Sequence, residues 1–287
     1  EAILQYHFDR TSNVMHSYDF YYTPGGDYTI YGEAGGGYGT PTQEMVESYE
    51  YAKGGFPDWT PWHGTTTQTP PYAELEPRFH ASVLYNGAPW KGRKIEPYVG
   101  GADGWCQWNL EREPKGRTTT GYYLRKMVDE SHDVIAYSGG VQPLIVLRYA
   151  EVLLNKAEAC HKTNDPAGAN AAVRAIRDRV GLPYEDVTGD DLWKAIRQER
   201  KVELAYEGLW YWDLRRWKVA HKPYPEGLTG YQQHGLKIEK NNDGTFTYTY
   251  VSVDDQDRNF PEKMYRFPMP TGELNNNGAV DQYPEWK

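Results

Sequence analysis

Apolar side chains recur at helical spacing in the middle of the chain. Between residues 144 and 158, leucine and alanine return every three or four positions, which places them on one face of an α-helix. This pattern predicts a helix over residues 144–162. A second helix, over residues 167–179, is predicted after Asp165, which suits an N-cap, and before Gly181, which suits a helix end.

The two predicted helices and their short turn have the length and alanine content of a tetratricopeptide unit. One such unit cannot bury its apolar face alone, so it has to pack against other parts of the protein. Two further helices are predicted. One covers residues 190–207 and ends before Gly208, and the other covers residues 210–218, which are rich in aromatic side chains.

The rest of the chain has no helical period. Residues 1–142 are rich in Gly, Pro, Thr and Tyr, which is typical of loops. Residues 236–240 and 245–251 alternate apolar and polar positions on either side of a turn, and they predict a β-hairpin. The expected fold is mostly α with long loops. It has three regions packed as one domain: loop-rich residues 1–142, helical residues 143–220, and residues 221–287 with the hairpin.

Composition narrows the classes of function. The 287 residues carry 31 Lys and Arg against 40 Asp and Glu, and the net charge is −9. We therefore expect no nucleic-acid partner, because phosphate backbones favour clustered cations. The longest aliphatic run, from Leu144 to Leu147, is far too short to cross a membrane. The spacing of Cys106 and Cys160 fits no zinc site, and the sequence does not decide whether the two form a disulfide.

No catalytic or metal-binding motif stands out. The eight histidines are scattered, and no nucleophile or phosphate-binding motif occurs. Asp255, Asp257 and Asn259 resemble the start of a calcium loop, but Phe260 takes the place of the required glycine, which favours a solvated turn. We expect no metal and no cofactor. The glycine run within residues 35–39 is interpreted as a flexible loop.

A dense set of charged residues lies between residues 199 and 216. Glu199 and Glu203 are four positions apart, which favours ion pairs along one helix face. We interpret the set as a structural ion-pair network made of Glu199, Arg200, Glu203, Glu207, Asp213 and Arg216. The alternative is that Glu203 and Glu207 are the acid/base carboxylates of a glycoside hydrolase, which would require raised pKa values.

Tyrosine and tryptophan give the sharper signal, since the chain has 25 Tyr and 10 Trp against 7 Phe. Both side chains combine an apolar ring with a polar group, which suits wet binding surfaces. Trp59 with Trp62, and Trp105 with Trp108, lie in predicted loops beside Asp, Asn and Gln. Rings stack on the C–H faces of sugars while polar neighbours bind the hydroxyls. These loops therefore favour a sugar-binding surface over the alternative, which is packing within the loops.

Several stretches, in one order along the chain, resemble motifs of the SusD/RagB family of outer-membrane nutrient-binding proteins. The stretches are residues 41–46, 76–79, 147–154, 173–183, 199–208, 212–217 and 265–270. The resemblance covers the C-terminal half of the family, whose members are nearly twice as long. It therefore implies the family's N-terminal half as a partner, with a signal peptide and a lipid-modified Cys that are not present in this chain.

The resemblance implies binding rather than catalysis. SusD-like proteins are anchored to the cell surface of the outer membrane, where they bind a glycan and pass it to a SusC-type TonB-dependent transporter. The expected function is glycan capture for such a transporter. Peptide capture, as in RagB-type members, and a carboxylate-dependent glycoside hydrolase are the alternatives. The candidate ligand-binding residues are Trp59, Trp62, Tyr72, Arg78, Trp105 and Trp108, with Tyr28, Tyr31 and Tyr38 behind them. Arg78 lies in a shared motif, so a structural role stays open for it.

Overall fold

The computed structural model describes residues 1–107, 117–137 and 139–287. The α-helices are Tyr18–Tyr22 (α1), Gly26–Thr29 (α2), Gln43–Val46 (α3), Pro77–Ser82 (α4), Tyr149–Lys162 (α5), Pro166–Arg179 (α6), Gly189–Glu203 (α7), Trp210–Arg216 (α8) and Thr271–Asn276 (α9). The strands are Ala2–Tyr6 (β1), Thr65–Thr66 (β2), Val83–Leu84 (β3), Pro89–Trp90 (β4), Arg93–Lys94 (β5), Tyr123–Leu124 (β6), Leu144–Arg148 (β7), His234–Lys240 (β8) and Phe246–Ser252 (β9). Single turns of 3-10 helix lie at Thr60–Trp62, Tyr72–Glu74, Glu262–Tyr265 and Pro284–Trp286.

Helices α5 and α6 form the predicted helical hairpin. Asp165 is the N-cap of α6, where its carboxylate accepts the N–H of Gly168 at 2.9 Å, and Pro166 occupies the first turn. Small side chains let these helices approach α7 closely. The shared buried cluster is made of Ala157, Ala169, Ala172, Val173, Leu192 and Ile196. The prediction of a mostly helical protein with long loops is confirmed.

The predicted start of the first long helix is wrong. Strand β7 occupies the first five of those residues and pairs antiparallel with β1, and α5 begins only at Tyr149. Ile145 and Val146 are β-branched, which favours extended backbone. The strand that pairs with them lies at the start of the chain, far away in sequence, so a local periodicity could not reveal it.

Two other helices end earlier than predicted. Helix α7 ends at Glu203 rather than at residue 207, and Tyr206 has a φ of +65°. Helix α8 ends at Arg216 rather than at residue 218, and Lys218 has a φ of +59°. A positive φ is incompatible with a right-handed helix, so the backbone leaves the helix at these positions.

The predicted hairpin is confirmed and belongs to a larger buried core. Strands β8 and β9 pair from His234 opposite Ser252 to Lys240 opposite Phe246, and β2 pairs with the other edge of β9. One hydrophobic cluster joins this sheet to the loop-rich residues and to α7. Its buried members are Val46, Tyr49, Trp59, Trp62, Tyr72, Leu75, Phe79, Val83, Tyr122, Val202, Leu236, Ile238 and Tyr248.

The chain divides into two units. The second unit, which consists of Gly208–Gln232 and Asp255–Lys287, has a small core of its own around Leu214 and Phe260. There Arg215 is fixed by the carbonyl of Met264, to which it donates at 2.6 Å. The three regions drawn from composition stay a prediction. The first unit consists of Glu1–Glu207 with Gln233–Asp254, and the second consists of Gly208–Gln232 with Asp255–Lys287.

The described ranges have the features of neither a membrane-spanning helix nor a metal cluster. No helix there combines the length and the apolar composition that a membrane span requires. The same residues contain no group of three or more His, Cys, Asp or Glu side chains placed to hold a metal ion. Cys106 and Cys160 do not form a disulfide with each other.

Candidate ligand-binding site

The first unit contains a cavity of about 1040 Å³, slightly above the usual range for small-molecule sites. Its lining contains both aromatic and charged side chains. The aromatic side chains are Phe8, His16, Tyr18, Tyr21 and Tyr22, and the charged ones include Arg78, Lys126, Arg148, Glu203 and Glu207. The cavity therefore combines ring faces with groups that can donate or accept hydrogen bonds.

Tyrosine rings continue from the cavity onto the protein surface. Tyr21 lines the cavity, is 43% exposed, and packs edge to face on Tyr38 with the ring centroids 5.2 Å apart. Tyr38 is 64% exposed, and its N–H donates to the carbonyl of Tyr21 at 3.0 Å. Tyr18 and Tyr22, four residues apart on α1, stack at 4.4 Å. We call Tyr18, Tyr21, Tyr22 and Tyr38 the tyrosine surface.

The buried carboxylate of Asp27 holds the segment that carries these rings in place. Asp27 accepts hydrogen bonds from Thr23 at 2.6 Å, Trp90 at 3.0 Å and Arg93 at 2.8 Å. Burial alone would raise the pKa of Asp27, but the hydrogen bonds from Thr23 and Arg93 and the charge of Lys91 outweigh it and lower the pKa. This carboxyl therefore stays ionised and keeps the segment in one conformation, so the exposed rings are positioned before any ligand arrives.

The glycine run is packed rather than flexible, which corrects the interpretation from sequence. Gly36 has a φ of +71°, and a Cβ there would lie 2.3 Å from the carbonyl oxygen of Thr23. A Cβ on Gly35 would lie 2.9 Å from the ring of Tyr28. Glycine is required at both positions because the backbone approaches its neighbours so closely. Tyr28 is consequently buried, and its hydroxyl donates to the carbonyl of Phe20 at 2.9 Å.

The structure places Trp59, Trp62 and Tyr72 in the hydrophobic core. Trp59 and Trp62 are each 5% exposed and pack edge to face at 5.5 Å. The indole N–H of Trp62 donates to the carbonyl of Gln68, and the hydroxyl of Tyr72 pairs with that of Tyr122 at 2.8 Å. In this conformation these rings offer almost no surface to a ligand. A role for them in binding stays a prediction.

The remaining predicted rings lie in different surroundings. Trp105 is half-buried, donates to the carbonyl of Thr119 at 3.2 Å, and has the amino group of Lys237 5.7 Å from its ring centroid. Tyr31 is 67% exposed. Trp108 lies outside the described residues. Among the predicted rings that the structure describes, Tyr31 and Tyr38 are thus the ones whose faces are most available to a ligand.

The candidates named from sequence omit Tyr18, Tyr21 and Tyr22, although Tyr21 and Tyr22 belong to the same tyrosine-rich stretch as Tyr28, Tyr31 and Tyr38. The signal was present: three tyrosines fall within five residues, and Tyr18 and Tyr22 have the spacing that puts side chains on one helix face. A helix as short as α1 has too few residues to show a reliable helical period, so this spacing alone does not predict a helix there.

Arginine and lysine side chains pair with the carboxylates that line the cavity. Arg78 donates to Glu76 at 2.6 Å, to Glu203 at 3.1 Å and also to Glu199. Arg148 donates to Glu203 and to Glu207, each at 2.7 Å. Arg78, one of the ligand candidates, is therefore bonded to three carboxylates in this structure.

The pKa values of Glu203 and Glu207 argue against the hydrolase alternative. Burial raises both pKa values, but the hydrogen bonds from Arg148 and the charges of the surrounding arginine and lysine side chains together outweigh it, and the pKa of each carboxyl lies below its usual value. Lys126, which pairs with Glu207 at 2.6 Å, acts in the same direction. A general acid needs a raised pKa, so the electrostatics of this pair are the opposite of those expected for a glycosidase.

Glu199 shares Arg78 with Glu203, and the other members of the charged set have further partners. Glu199 accepts from Arg177 at 3.1 Å, and Arg200 donates to the side-chain carbonyl of Asn155 at 2.8 Å. Asp213 and Arg216 belong to the second unit, where they pair with each other at 2.8 Å.

Solved structures share this fold. A SusD-like protein from Bacteroides fragilis NCTC 9343 superposes with a TM-score of 0.74 at 26% identity, covering 99% of this chain and 54% of that one. A SusD-like carbohydrate-binding protein from the same organism gives a TM-score of 0.73 at 23% identity, covering 98% of this chain and 54% of that one. The chain spans about half the length of these solved relatives.

Sequence comparison gives the same family. SusD-like protein P38 of Formosa agariphila is 39% identical over 87 residues, which are 27% of this chain and 17% of that protein. SusD-like protein P2 of the same organism is 36% identical over 97 residues, which are 29% of this chain and 19% of that protein. The sequence model of the SusD family matches residues 1–286, and this chain therefore belongs to the SusD family.

Proposed function

We propose that this chain binds an oligosaccharide at the tyrosine surface and in the adjoining cavity. The observation that carries the proposal is the position of Tyr21, which lines the cavity and also packs against the exposed ring of Tyr38. A sugar chain could stack its C–H faces on the exposed rings while its hydroxyls reach the polar side chains of the cavity. One solved relative of the same fold is described as carbohydrate-binding.

We further propose that the protein acts at the cell surface of the outer membrane. In this proposal it is lipid-anchored through an N-terminal Cys outside this chain, and it passes the glycan to a SusC-type TonB-dependent transporter. Membership of the SusD family supports both points. Binding without turnover also agrees with the lowered pKa values of Glu203 and Glu207, which suit ion pairing better than acid catalysis.

The half of the family chain that this one does not span is proposed as a structural partner. The ribbon of β1 and β7 exposes large apolar side chains that a soluble protein normally covers. They are Ile3, Leu4, Tyr6, Leu144, Ile145 and Val146. A two-stranded ribbon is only marginally stable by itself, which supports a covering polypeptide here. Part of the ligand site would then come from that polypeptide.

Isothermal titration calorimetry with a panel of oligosaccharides and peptides tests the proposed function. We expect saturable heat with one class of glycan and a loss of affinity of at least about tenfold in the double variant Tyr21→Ala, Tyr38→Ala. Phe56→Ala, which removes an exposed ring that does not line this cavity, is the matched control and should bind normally. Heat with peptides alone would favour a RagB-like function. Full affinity in the double variant would contradict the proposed surface.

A further inference from the structure

A second cavity, of about 540 Å³, adjoins the one that contains the candidate ligand site. The residues that line both cavities are Ala81, Lys126, Met127 and Val128. Ala81 is exposed and its side chain is a single methyl group, so no long side chain separates the two cavities at this position. We call the second cavity the side groove. A ligand in the first cavity can therefore continue over Ala81 into the side groove.

A tight turn at residues 125–128 carries three of the shared residues. The N–H of Val128 donates to the carbonyl of Arg125 at 3.1 Å, and the N–H of Arg125 donates to the carbonyl of Ser82 at 2.9 Å. Met127, the third residue of this turn, has a φ of +68°, which is rare for a residue with a side chain. Backbone strain of this kind is concentrated at ligand sites, where the surrounding structure enforces it. The turn is thus a fixed wall that the two cavities share.

The side groove contains a charged pair that is held in one geometry. Arg125 donates from Nε to Glu130 at 2.6 Å and from Nη1 to the carbonyl of His80 at 3.1 Å. The side chain of Arg125 is 27% exposed and that of Glu130 is 42% exposed, so both remain accessible to a ligand. The guanidinium supplies N–H donors in a rigid plane, and the carboxylate supplies acceptors. The pair can therefore bind two neighbouring hydroxyl groups of a sugar, one through a donor and one through an acceptor.

The side groove and the tyrosine surface offer different chemistry. The described lining of the groove includes no Phe, Tyr or Trp, so ring stacking is confined to the other end of the site. A single sugar unit can use the rings or the charged pair. A longer chain can use both, because the first cavity connects them.

We propose that the side groove is a second subsite for the same ligand, and that the ligand is an oligosaccharide chain which reaches from the tyrosine surface to Arg125 and Glu130. This inference rests on the proposed function, since it assigns a further part of the same ligand. The tyrosine rings hold one end of the chain by stacking, and the charged pair binds hydroxyl groups near the other end. Affinity should therefore depend on the length of the chain.

Calorimetry with glycans graded by length tests the subsite. The probes are malto-, cello-, xylo- and manno-oligosaccharides of two to eight sugar units. In the series that binds, we expect the longest chains to bind about tenfold more tightly than the shortest chains that bind, because hydrogen bonds to charged groups are stronger than neutral ones. Equal affinity at every length would overturn the subsite and leave the proposed function standing. Heat from none of the four series would contradict the proposed function, and the subsite with it.

Two variants show whether the gain in affinity comes from the charged pair. Arg125→Ala should reduce the gain to less than about threefold, while the shortest chains bind as they do to the parent. Glu130→Ala removes the exposed acceptor and should lower the gain as well, which keeps the test decisive if Arg125→Ala fails to fold. A gain that comes only from the larger number of positions in which a long chain can bind would persist in both variants.

Arg174→Ala is the matched control. Arg174 donates to the carboxylate of Asp186 at 2.6 Å and to the carbonyl of Tyr184 at 3.0 Å, the same two kinds of partner that Arg125 has, but it is not part of the described lining of either cavity. This variant should keep the full gain with chain length. An unchanged gain in folded Arg125→Ala, or an equal loss of affinity for chains of every length, would contradict the assignment.

Discussion

Replacing Arg78 by methionine removes a cation that three buried carboxylates share. The side chains of Glu76, Glu199 and Glu203 are each no more than 2% exposed, and all three bond to Arg78. Methionine keeps much of the volume and loses the charge. Glu199 keeps its pairing with Arg177, Glu203 keeps its pairings with Arg148 and Arg179, and Glu76 keeps only the N–H of Glu50 at 3.4 Å. The three buried carboxylates would therefore lose the one cation that pairs with all of them.

Breaking a buried ion pair by removing one partner costs about 3–5 kcal/mol, because the remaining charge is buried without compensation. We therefore expect Arg78→Met to lower the free energy of unfolding by about 4 kcal/mol and Tm by roughly 10 °C. Part of the loss should return as the pH is lowered towards 5, because the stranded carboxyls can then take up protons.

Urea unfolding at pH 7, followed by circular dichroism and by tryptophan fluorescence, measures this change. Lys194→Met is the matched control, since it breaks an ion pair with Asp191 in which both side chains are about three-quarters exposed. The control should unfold at the same urea concentration as the parent. If Arg78→Met also unfolds at the parental midpoint, the view that Arg78 balances buried charge is refuted.

Further outcomes follow from the same contacts. Because the pKa values of Glu203 and Glu207 are lower in the folded chain than their usual 4.5, their contribution to stability is complete above about pH 4.5 and is lost as pH falls, which a series of unfolding midpoints from pH 7 to pH 3 would reveal. Gly36→Ala should destabilise the chain by more than Gly32→Ala: both positions have a positive φ, but only at Gly36 would the new Cβ meet a backbone oxygen. Equal urea midpoints for the two variants would contradict that contact. Asp27→Asn should loosen the segment that carries the tyrosine surface, seen as faster proteolysis between residues 17 and 39, and unchanged cleavage would count against its anchoring role.

The helices and the hairpin could be predicted because their signals are local. Helix α6 has an N-cap, a proline in its first turn and a regular apolar face, all within residues 165–179. The hairpin of β8 and β9 has alternating strands and a glycine at a turn position with a φ of +85°. Strand β7 could not be predicted in this way, because its partner β1 lies at the other end of the first 150 residues.

The candidate site could be predicted only in outline. Aromatic residues in loops indicated a binding surface, but sequence alone could not separate buried Trp59 from exposed Tyr38. Which ring is covered depends on the neighbours that the fold supplies, such as Tyr122 beside Tyr72.

A crystal structure of the protein with the oligosaccharide that binds best by calorimetry tests the central proposal most directly. We predict that the sugar rings lie on Tyr21 and Tyr38 and that the glycan extends towards the 1040 Å³ cavity. A glycan bound elsewhere, with both of these rings uncovered, would contradict the proposed site.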